Sequence, residues 1–265
     1  MRKRIQFVIP AAGLGSRFIA AGYTTIKPLI PVGSLPMILW PISNIPLEPQ
    51  DILIIITKKG DNLYSIKNKW LRNIKTNILF IEMDSLSEGP ASTFEAAMNK
   101  IDLTLPLVVL NSDQYISSSI LEFIEDIRNN KAEVFGSILT MKASGNKWSY
   151  IGRNARGEID AIVEKKEVSA EATVGVYAWS SAELFASSLM RMKTENLRVN
   201  NEFYIAPSYN YLIIDKVCIK TFHVGIFNES VHGLGTPEDL ADFLSSTART
   251  QNEISIVNKF KHLNE

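Results

Sequence analysis

The sequence predicts an α/β fold built on a mostly parallel central sheet. Apolar runs of strand length alternate with stretches whose apolar residues recur at helical spacing. Two runs, Ile52-Leu53-Ile54-Ile55-Ile56-Thr57 and residues 105–110, are apolar almost throughout, as expected of strands covered on both faces. Glycine, proline and polar clusters fall between the runs. At 265 residues, 46% of them hydrophobic, the chain can bury a sizeable core.

The elements follow in order. Ile5-Gln6-Phe7-Val8-Ile9-Pro10 reads as the first strand. It runs into Ala11-Ala12-Gly13-Leu14-Gly15-Ser16-Arg17-Phe18, a glycine loop with a helical turn reaching Gly22. Residues 52–57 read as a buried parallel strand, 61–73 as a helix and 77–82 as a strand. Gly89-Pro90 opens a helix, since proline is tolerated at a first helical position, with Phe94, Ala97, Met98 and Ile101 on one face. A strand over 105–110 ends at Asn111-Ser112-Asp113, and Ile120, Leu121, Ile124 and Ile127 give the next helix its apolar stripe. From Glu133 the pattern changes: residues 134–141 and 174–179 read as strands, and Gly152-Arg153-Asn154-Ala155-Arg156-Gly157 as a hairpin turn between them. Thr236-Pro237-Glu238-Asp239 carries an N-cap, a first-turn proline and acidic residues that complement a helix dipole. No linker of Pro/Gly/Ser composition divides the chain. The sequence therefore predicts one domain: a lobe over about 1–132, a second over about 133–235, and a helical segment over about 236–265, loosely attached beyond about Glu253.

Composition excludes several function classes. Lys+Arg and Asp+Glu are both 28, so nothing favours nucleic acid or an anionic membrane surface as a partner. The one cysteine, Cys218, lies in Val217-Cys218-Ile219 and reads as core; no disulfide framework or cysteine zinc site is possible. His223, His232 and His262 are too few for a histidine-rich metal site. The first apolar run is too short for a signal segment and nothing approaches transmembrane length. The expected location is the cytoplasm, with a homo-oligomer left open.

The glycine loop carries most of the functional information. Glycine lets backbone amides approach a phosphate because no Cβ intervenes, and several such amides form an anion-binding concavity. Arg17 adds a planar charged fork matched to phosphate oxygens, and Lys27, before Pro28, adds a second cation. No Asp or Glu precedes Glu48, whereas Arg2, Lys3, Arg4, Arg17 and Lys27 do, which suits a nucleoside triphosphate. The stretch also reads as a strand–turn–helix corner with glycines for geometry alone. A dinucleotide-binding turn is disfavoured: Phe18 stands in place of the third glycine, and residues 32–40 offer no ribose carboxylate.

Further residues fit the same chemistry. Asp113 sits where a buried strand ends, the usual ligand side of an open α/β sheet, and a carboxylate there suits Mg²⁺ held against triphosphate oxygens; it also reads as a turn-capping aspartate. Glu88-Gly89-Pro90-Ala91-Ser92-Thr93 places small residues at a helix start, where amides face a base or phosphate or merely begin a helix. Glu164-Lys165-Lys166 could grip a polar substrate or form a solvated strand end, and Asn200-Asn201-Glu202-Phe203-Tyr204 could supply caps or ligand contacts. The aromatics Trp148, Tyr150, Tyr177, Trp179, Phe203, Tyr204, Tyr209 and Tyr211 read as core, with a cation-binding cage as the alternative.

These motifs, in this order, resemble the nucleotidyltransferase superfamily of sugar-phosphate activating enzymes over residues 10–240. Gly13-Leu14-Gly15-Ser16-Arg17 is similar to its triphosphate loop, Lys27-Pro28 to its lysine-proline pair, Glu88-Gly89-Pro90-Ala91 to its nucleobase-side loop and Ser112-Asp113 to its metal aspartate. Glu164-Lys165 resembles the substrate-binding pair, Val174-Gly175-Val176-Tyr177 the strand beside it, and Gly235-Thr236-Pro237-Glu238-Asp239-Leu240 the closing motif. Asn111-Ser112-Asp113-Gln114, Trp148-Ser149-Tyr150, Ala172-Thr173-Val174-Gly175 and Asn201-Glu202-Phe203-Tyr204-Ile205-Ala206-Pro207 are similar to the bacterial capsule-cluster branch, which includes the CTP:phosphoglutamine cytidylyltransferase.

The resemblance implies a three-layer Rossmann-like fold with a small substrate lobe, and transfer of a nucleotide, CMP by the branch, to a phosphorylated small molecule in capsule or surface polysaccharide biosynthesis. A sugar 1-phosphate or phosphocholine enzyme and a non-catalytic nucleotide sensor are the alternatives. It implies that Arg17, Lys27 and Asp113 are catalytic, with Asp113 on Mg²⁺. Ala11, Ala12, Gly13, Leu14, Gly15, Ser16, Glu88, Gly89, Pro90, Ala91 and Ser112 would bind the nucleotide. Tyr150, Glu164, Lys165, Gly175, Glu202 and Tyr204 would bind the acceptor. One place departs: Gly233 stands where many members carry a second metal aspartate, leaving Asp113 with phosphates and waters, or with help from His232 or Glu229.

Overall fold

A computed structural model describes residues 2–129 and 134–261. The expected lobe boundary at 132–133, Glu133 itself and His262 lie outside the described residues. The elements are β1 (Gln6–Pro10), α1 (Ser16–Ala20), β2 (Pro31–Val32), β3 (Leu35–Pro36), α2 (Leu39–Asn44), β4 (Ile52–Lys58), β5 (Asn77–Met83), α3 (Pro90–Thr93), β6 (Leu107–Leu110), β7 (Gln114–Ile116) and α4 (Leu121–Asn129). They continue with β8 (Val134–Lys142), β9 (Ser149–Arg153), β10 (Ile159–Glu164), β11 (Glu171–Trp179), α5 (Ala182–Thr194), α6 (Tyr209–Ile214), β12 (Cys218–Ile226), β13 (Val231–Gly233), α7 (Pro237–Ser245) and α8 (Thr247–Lys261).

Nine strands form one sheet in the order β10-β9-β11-β6-β1-β4-β5, with β8 pairing both β11 and β12. The strands β6, β1, β4 and β5 are mutually parallel. The uninterrupted apolar run of β4 is explained by helices on both faces. Leu53 and Ile55 join Phe7 and Ile9 in one core with α2, α4, α7 and α8. Ile52, Ile54 and Ile56 join Val8 in another with α5 and α6. The result is the three-layer α/β arrangement expected. Beneath the sheet, Arg128 of α4 forks onto both carboxylate oxygens of Asp51, and both side chains are fully buried. The backbone amides of Ile5 and Glu48 complete the same carboxylate, so the charges are hydrogen-bonded as buried ions must be.

Four local expectations are corrected. Over 61–73 only a short helical stretch forms, with π-type turns at Lys67–Leu71, because Asn62 adopts φ 51° just after Gly60 at φ 88°. In α4 Phe123, not Leu121, joins Ile120, Ile124 and Ile127; it lies three residues after Ile120 on the helix, and Leu121 is 50% exposed. Cys218 is exposed, because β12 is an edge strand that, among the described residues, pairs only with β8. As far as Lys261 the C-terminal segment is not loose: α8 is continuous through Glu253, buries Ile256 and Phe260, and Glu253 accepts from the Ser34 amide at 2.6 Å. As expected, Thr236 caps α7 by accepting from the Asp239 amide at 3.1 Å.

Candidate active site

A cleft of about 800 Å³ opens beyond the carboxyl ends of β1 and β6. Parallel strands direct their following loops to this edge, which is why ligands bind there in open α/β sheets. The loop after β1 lines it from Ala11 through Arg17. The amides of Ala12, Gly13, Leu14 and Gly15 donate to no backbone carbonyl among the described residues. Gly15 has φ 64°, and a Cβ there would lie 2.9 Å from Cβ of Lys27, so the loop packs directly on the lysine stem. Lys27 in turn forms an ion pair with Asp113, at the end of β6. The short β7–β13 pairing brings the closing motif to the same place, with the Leu234 amide donating to the Asp113 carbonyl at 2.8 Å. A Cβ on Gly235 would lie 2.7 Å from Oδ2 of Asp113, so only glycine leaves that carboxylate open.

The opposite wall comes from the antiparallel strands. Glu164 ends β10 and accepts from the Ser149 hydroxyl of β9. Burial, with Glu202 nearby, holds the Glu164 carboxyl above the usual carboxylate range, although Ser149 and Lys165 pull it down. Lys165 follows in the left-handed region at φ 56°, which turns its ammonium onto the Tyr204 hydroxyl and 4.2 Å from that ring's centre. Burial and the Glu202 carboxylate raise the Tyr204 phenol well above its ordinary value. Glu202 follows a two-residue turn in which Asn200 and Asn201 both have positive φ, closed by Val199 and Glu202 bonding at 3.0 Å in both directions. Gly175, at φ 72° in a bulge of β11, accepts from the Asn111 amide at 2.8 Å; a Cβ there would collide with the Asn111 and Gln114 side chains.

The structure thus brings together Ala11, Ala12, Gly13, Leu14, Gly15, Ser16, Arg17, Lys27, Gly89, Pro90, Ser112, Asp113, Glu164, Lys165, Gly175, Glu202 and Tyr204. It places three expected residues elsewhere. Tyr150 is fully buried, with its hydroxyl on the Gly145 carbonyl at 2.6 Å, because strand alternation turns it away when Ser149 faces the cleft. Glu88 does not line the cleft; it is exposed and pairs with Arg198 at 2.7 Å. Ala91 is buried, and its amide donates to the Phe203 carbonyl at 3.0 Å. His232 is buried against Tyr115 and Phe243, and Glu229 is exposed in the turn before β13, so neither lines the cleft. The aromatics form no vacant cage: Tyr150, Trp179, Tyr209 and Phe203 are core, and Lys165 occupies the Tyr204 face.

Lys147, which no sequence motif contains, and Ser149, Thr173 and Asp239, which the sequence places in motifs without a site role, all line the cleft. In the sequence Asp239 reads as a first-turn acid and as a member of the closing motif, with no site role of its own. Strand alternation opposite Glu164 was the signal available for Ser149.

Residues 6–206 match the nucleotidyl transferase family. The chain belongs to that family. No curated protein matches the chain. Among solved structures, this nucleotidyltransferase is similar to a nucleoside-diphosphate-sugar pyrophosphorylase from Vibrio cholerae, with 21% identity over 91% of this chain and 100% of that one, at a TM-score of 0.76. A Bacillus anthracis protein described as a candidate glucose-1-phosphate thymidylyltransferase is 19% identical over 92% of this chain and 95% of that one, at a TM-score of 0.74. A UDP-glucose pyrophosphorylase in complex with UDP-glucose is 18% identical over 95% and 99% of the two chains, at a TM-score of 0.72. At these identities the likeness is one of fold. Among the described residues no helix is long and apolar enough to cross a membrane.

Proposed function

We propose that this nucleotidyltransferase moves a nucleoside monophosphate from a triphosphate to the phosphate of a small acceptor, releasing pyrophosphate. The observation that carries the reading is the convergence of Arg17, Lys27, Asp113 and the unpaired loop amides at one end of a cleft whose other end presents Glu164, Lys165, Glu202 and Tyr204. The loop from Ala11 to Ser16 cradles the triphosphate, with Gly89, Pro90 and Ser112 beside the nucleotide. Arg17 neutralises the leaving pyrophosphate and Lys27 the α-phosphate region. The acceptor phosphate is largely ionised at neutral pH, its second pKa being about 6, so it attacks without a general base. Catalysis is then positioning plus charge stabilisation.

A divalent metal fits the residues present. Asp113 offers a carboxylate beside the space that Gly235 keeps open. Magnesium accepts one or two carboxylates with phosphates and waters, so it needs no larger protein cage. Among the described residues no group of three or more His, Cys, Asp or Glu is gathered. When bound, Mg²⁺ would screen negative charge on the triphosphate.

We assign CTP as donor and a phosphoglutamine-like molecule as acceptor, in capsule or surface polysaccharide synthesis, on the branch motifs around Gln114, Ser149, Gly175 and Glu202. The first lobe, over about 1–132, then serves the nucleotide, and the second, over about 133–235, the acceptor. The sugar 1-phosphate reading is favoured by the hydrogen-bond acceptors of the far wall: Glu164, Glu202 and Gln114, whose Oε1 is buried without a partner among the described residues. Incubating the protein with Mg²⁺, each nucleoside triphosphate and each acceptor, and weighing the products by mass spectrometry, decides between them. A cytidylylated phosphoglutamine supports the first assignment. A nucleotide sugar replaces it with the second. Nucleotide binding without any product across the panel overturns catalysis and leaves a sensor.

A further inference from the structure

Gly89 and Pro90 line the cleft on the side given to the nucleotide, and Glu202 on the side given to the acceptor, yet the two segments are packed as one body. The Phe203 amide donates to the Glu88 carbonyl at 2.7 Å, and the Ala91 amide donates to the Phe203 carbonyl at 3.0 Å. Gly89, at φ 120°, leaves no space between them. A Cβ there would lie 2.7 Å from both the nitrogen and the oxygen of Phe203, and 3.0 Å from Cβ of Glu202. Movement of Gly89 and Pro90 is thereby passed to Phe203 and to Glu202 beside it.

We propose that Arg198 is a positioning residue that couples nucleotide binding at Gly89-Pro90 to the placement of Glu202; this rests on the nucleotidyl-transfer reading above. Its guanidinium joins both segments. Nε donates to Oδ1 of Asn196 at 2.6 Å, Nη1 to the Asn201 carbonyl at 3.2 Å and Nη2 to Oε1 of Glu88 at 2.7 Å. The same group lies 4.1 Å from the centre of the buried Phe203 ring. A planar fork of fixed donors suits such alignment, and a lysine would not reproduce it. The turn needs holding, because Asn200 and Asn201 both sit at positive φ, which costs free energy in a residue with a Cβ. Arg198 keeps Asn201 in place and so aims Glu202, which bonds back to Val199 across the turn. An exposed ion pair adds little stability by itself. The Glu88 side chain is 53% exposed, so the pair contributes alignment rather than fold. A second pair offers a control: Lys193 donates to both carboxylate oxygens of Glu95 at 2.8 Å, joining the same parts of the chain without touching the turn.

The test is hydrogen–deuterium exchange of the full chain, read by mass spectrometry with and without CTP, UTP, dTTP, ATP or GTP and Mg²⁺, with no acceptor present. In the wild type a bound nucleotide is expected to slow exchange over residues 86–93 and, by about tenfold, over residues 198–203. Arg198→Ala is expected to keep the slowing at 86–93 and to cut that at 198–203 to less than about threefold. A merely architectural staple would instead speed exchange at 198–203 equally with and without nucleotide. Its ratio would then match the wild type, and that result overturns the proposal. So does a loss in Lys193→Met equal to that in Arg198→Ala. Melting curves accompany each variant; if Arg198→Ala does not fold, Glu88→Ala, at the exposed end of the pair, carries the test with the same expected loss. If nucleotide slows exchange over 11–17 or 86–93 in the wild type and not over 198–203, only the Arg198 assignment fails. If no nucleotide slows exchange anywhere, the nucleotidyl-transfer reading fails with it.

Discussion

The two ends of the cleft are built by different means. The glycine-loop end is mostly backbone: a loop after a parallel strand with four amides unpaired among the described residues, Gly15 packed on Lys27 and Gly235 opposite Asp113. The Glu164 end is mostly side chain: carboxylates, an ammonium, a phenol and a serine hydroxyl, aimed by antiparallel strands and residues at positive φ. A phosphate chain is the same in every nucleotide, so a rigid backbone cradle suits it. An acceptor varies, and exchangeable side chains on a fixed sheet suit that. The proposed division of labour follows from this contrast.

The largest effect should come where charge is handled. Arg17→Ala or Asp113→Asn is expected to lower kcat by about 10²–10³, the usual cost of one transition-state charge contact, with melting temperature little changed. Turnover like the wild type in either variant breaks the assignment of the chemistry to this end.

The next contrast lies within the loop. Gly15→Ala places a side chain at φ 64° and 2.9 Å from Cβ of Lys27. It should destabilise by at least about 1–2 kcal/mol, visible as a lower Tm. Gly13 has nothing within 4 Å of a built Cβ. Gly13→Ala should therefore keep Tm while raising KM for the nucleotide about tenfold, through a displaced amide–phosphate contact of about 1.5 kcal/mol. A Gly13→Ala variant with unchanged KM would show that the cradle is not where phosphate sits.

At the other end, Glu164→Gln should raise KM for the acceptor about tenfold and leave KM for the nucleotide unchanged. It also has a pH signature. Burial raises the Glu164 pKa in the folded state, so ionisation opposes folding. The stability this group contributes is full below its unfolded value, about 4.3, and is lost as pH rises through the folded value. Glu164→Gln should thus melt above the wild type at pH 7.5, with the gap closing toward pH 4. A constant gap across that range contradicts the assignment of the shift to burial. The smallest effect is expected at Cys218→Ser, which is exposed on the edge strand and should change stability by less than about 0.5 kcal/mol.

The same contrast explains what was legible in the sequence. Strand β4 and the glycine loop declare themselves locally, because burial on both faces and backbone approach to phosphate each dictate residue types at consecutive positions. Asp113 is legible by its place after β6. Lys147 and Asp239 are not, since their pairing joins a loop after β8 to a helix 92 residues later. Tyr150 misled for a simpler reason: its strand neighbour Ser149 does line the cleft, and a one-residue step along a strand reverses the face. Cys218 misled because an apolar run at a sheet edge looks like one at its centre.

The central claim is that both ends act on one reaction, and pyrophosphate release tests it most directly. With Mg²⁺, CTP and a phosphorylated acceptor, the wild-type chain should release pyrophosphate only when donor and acceptor are both present. Glu164→Gln should slow release by raising KM for the acceptor, and Asp113→Asn by lowering kcat. Release from CTP alone at the same rate, or no release with any nucleotide and acceptor, would contradict it.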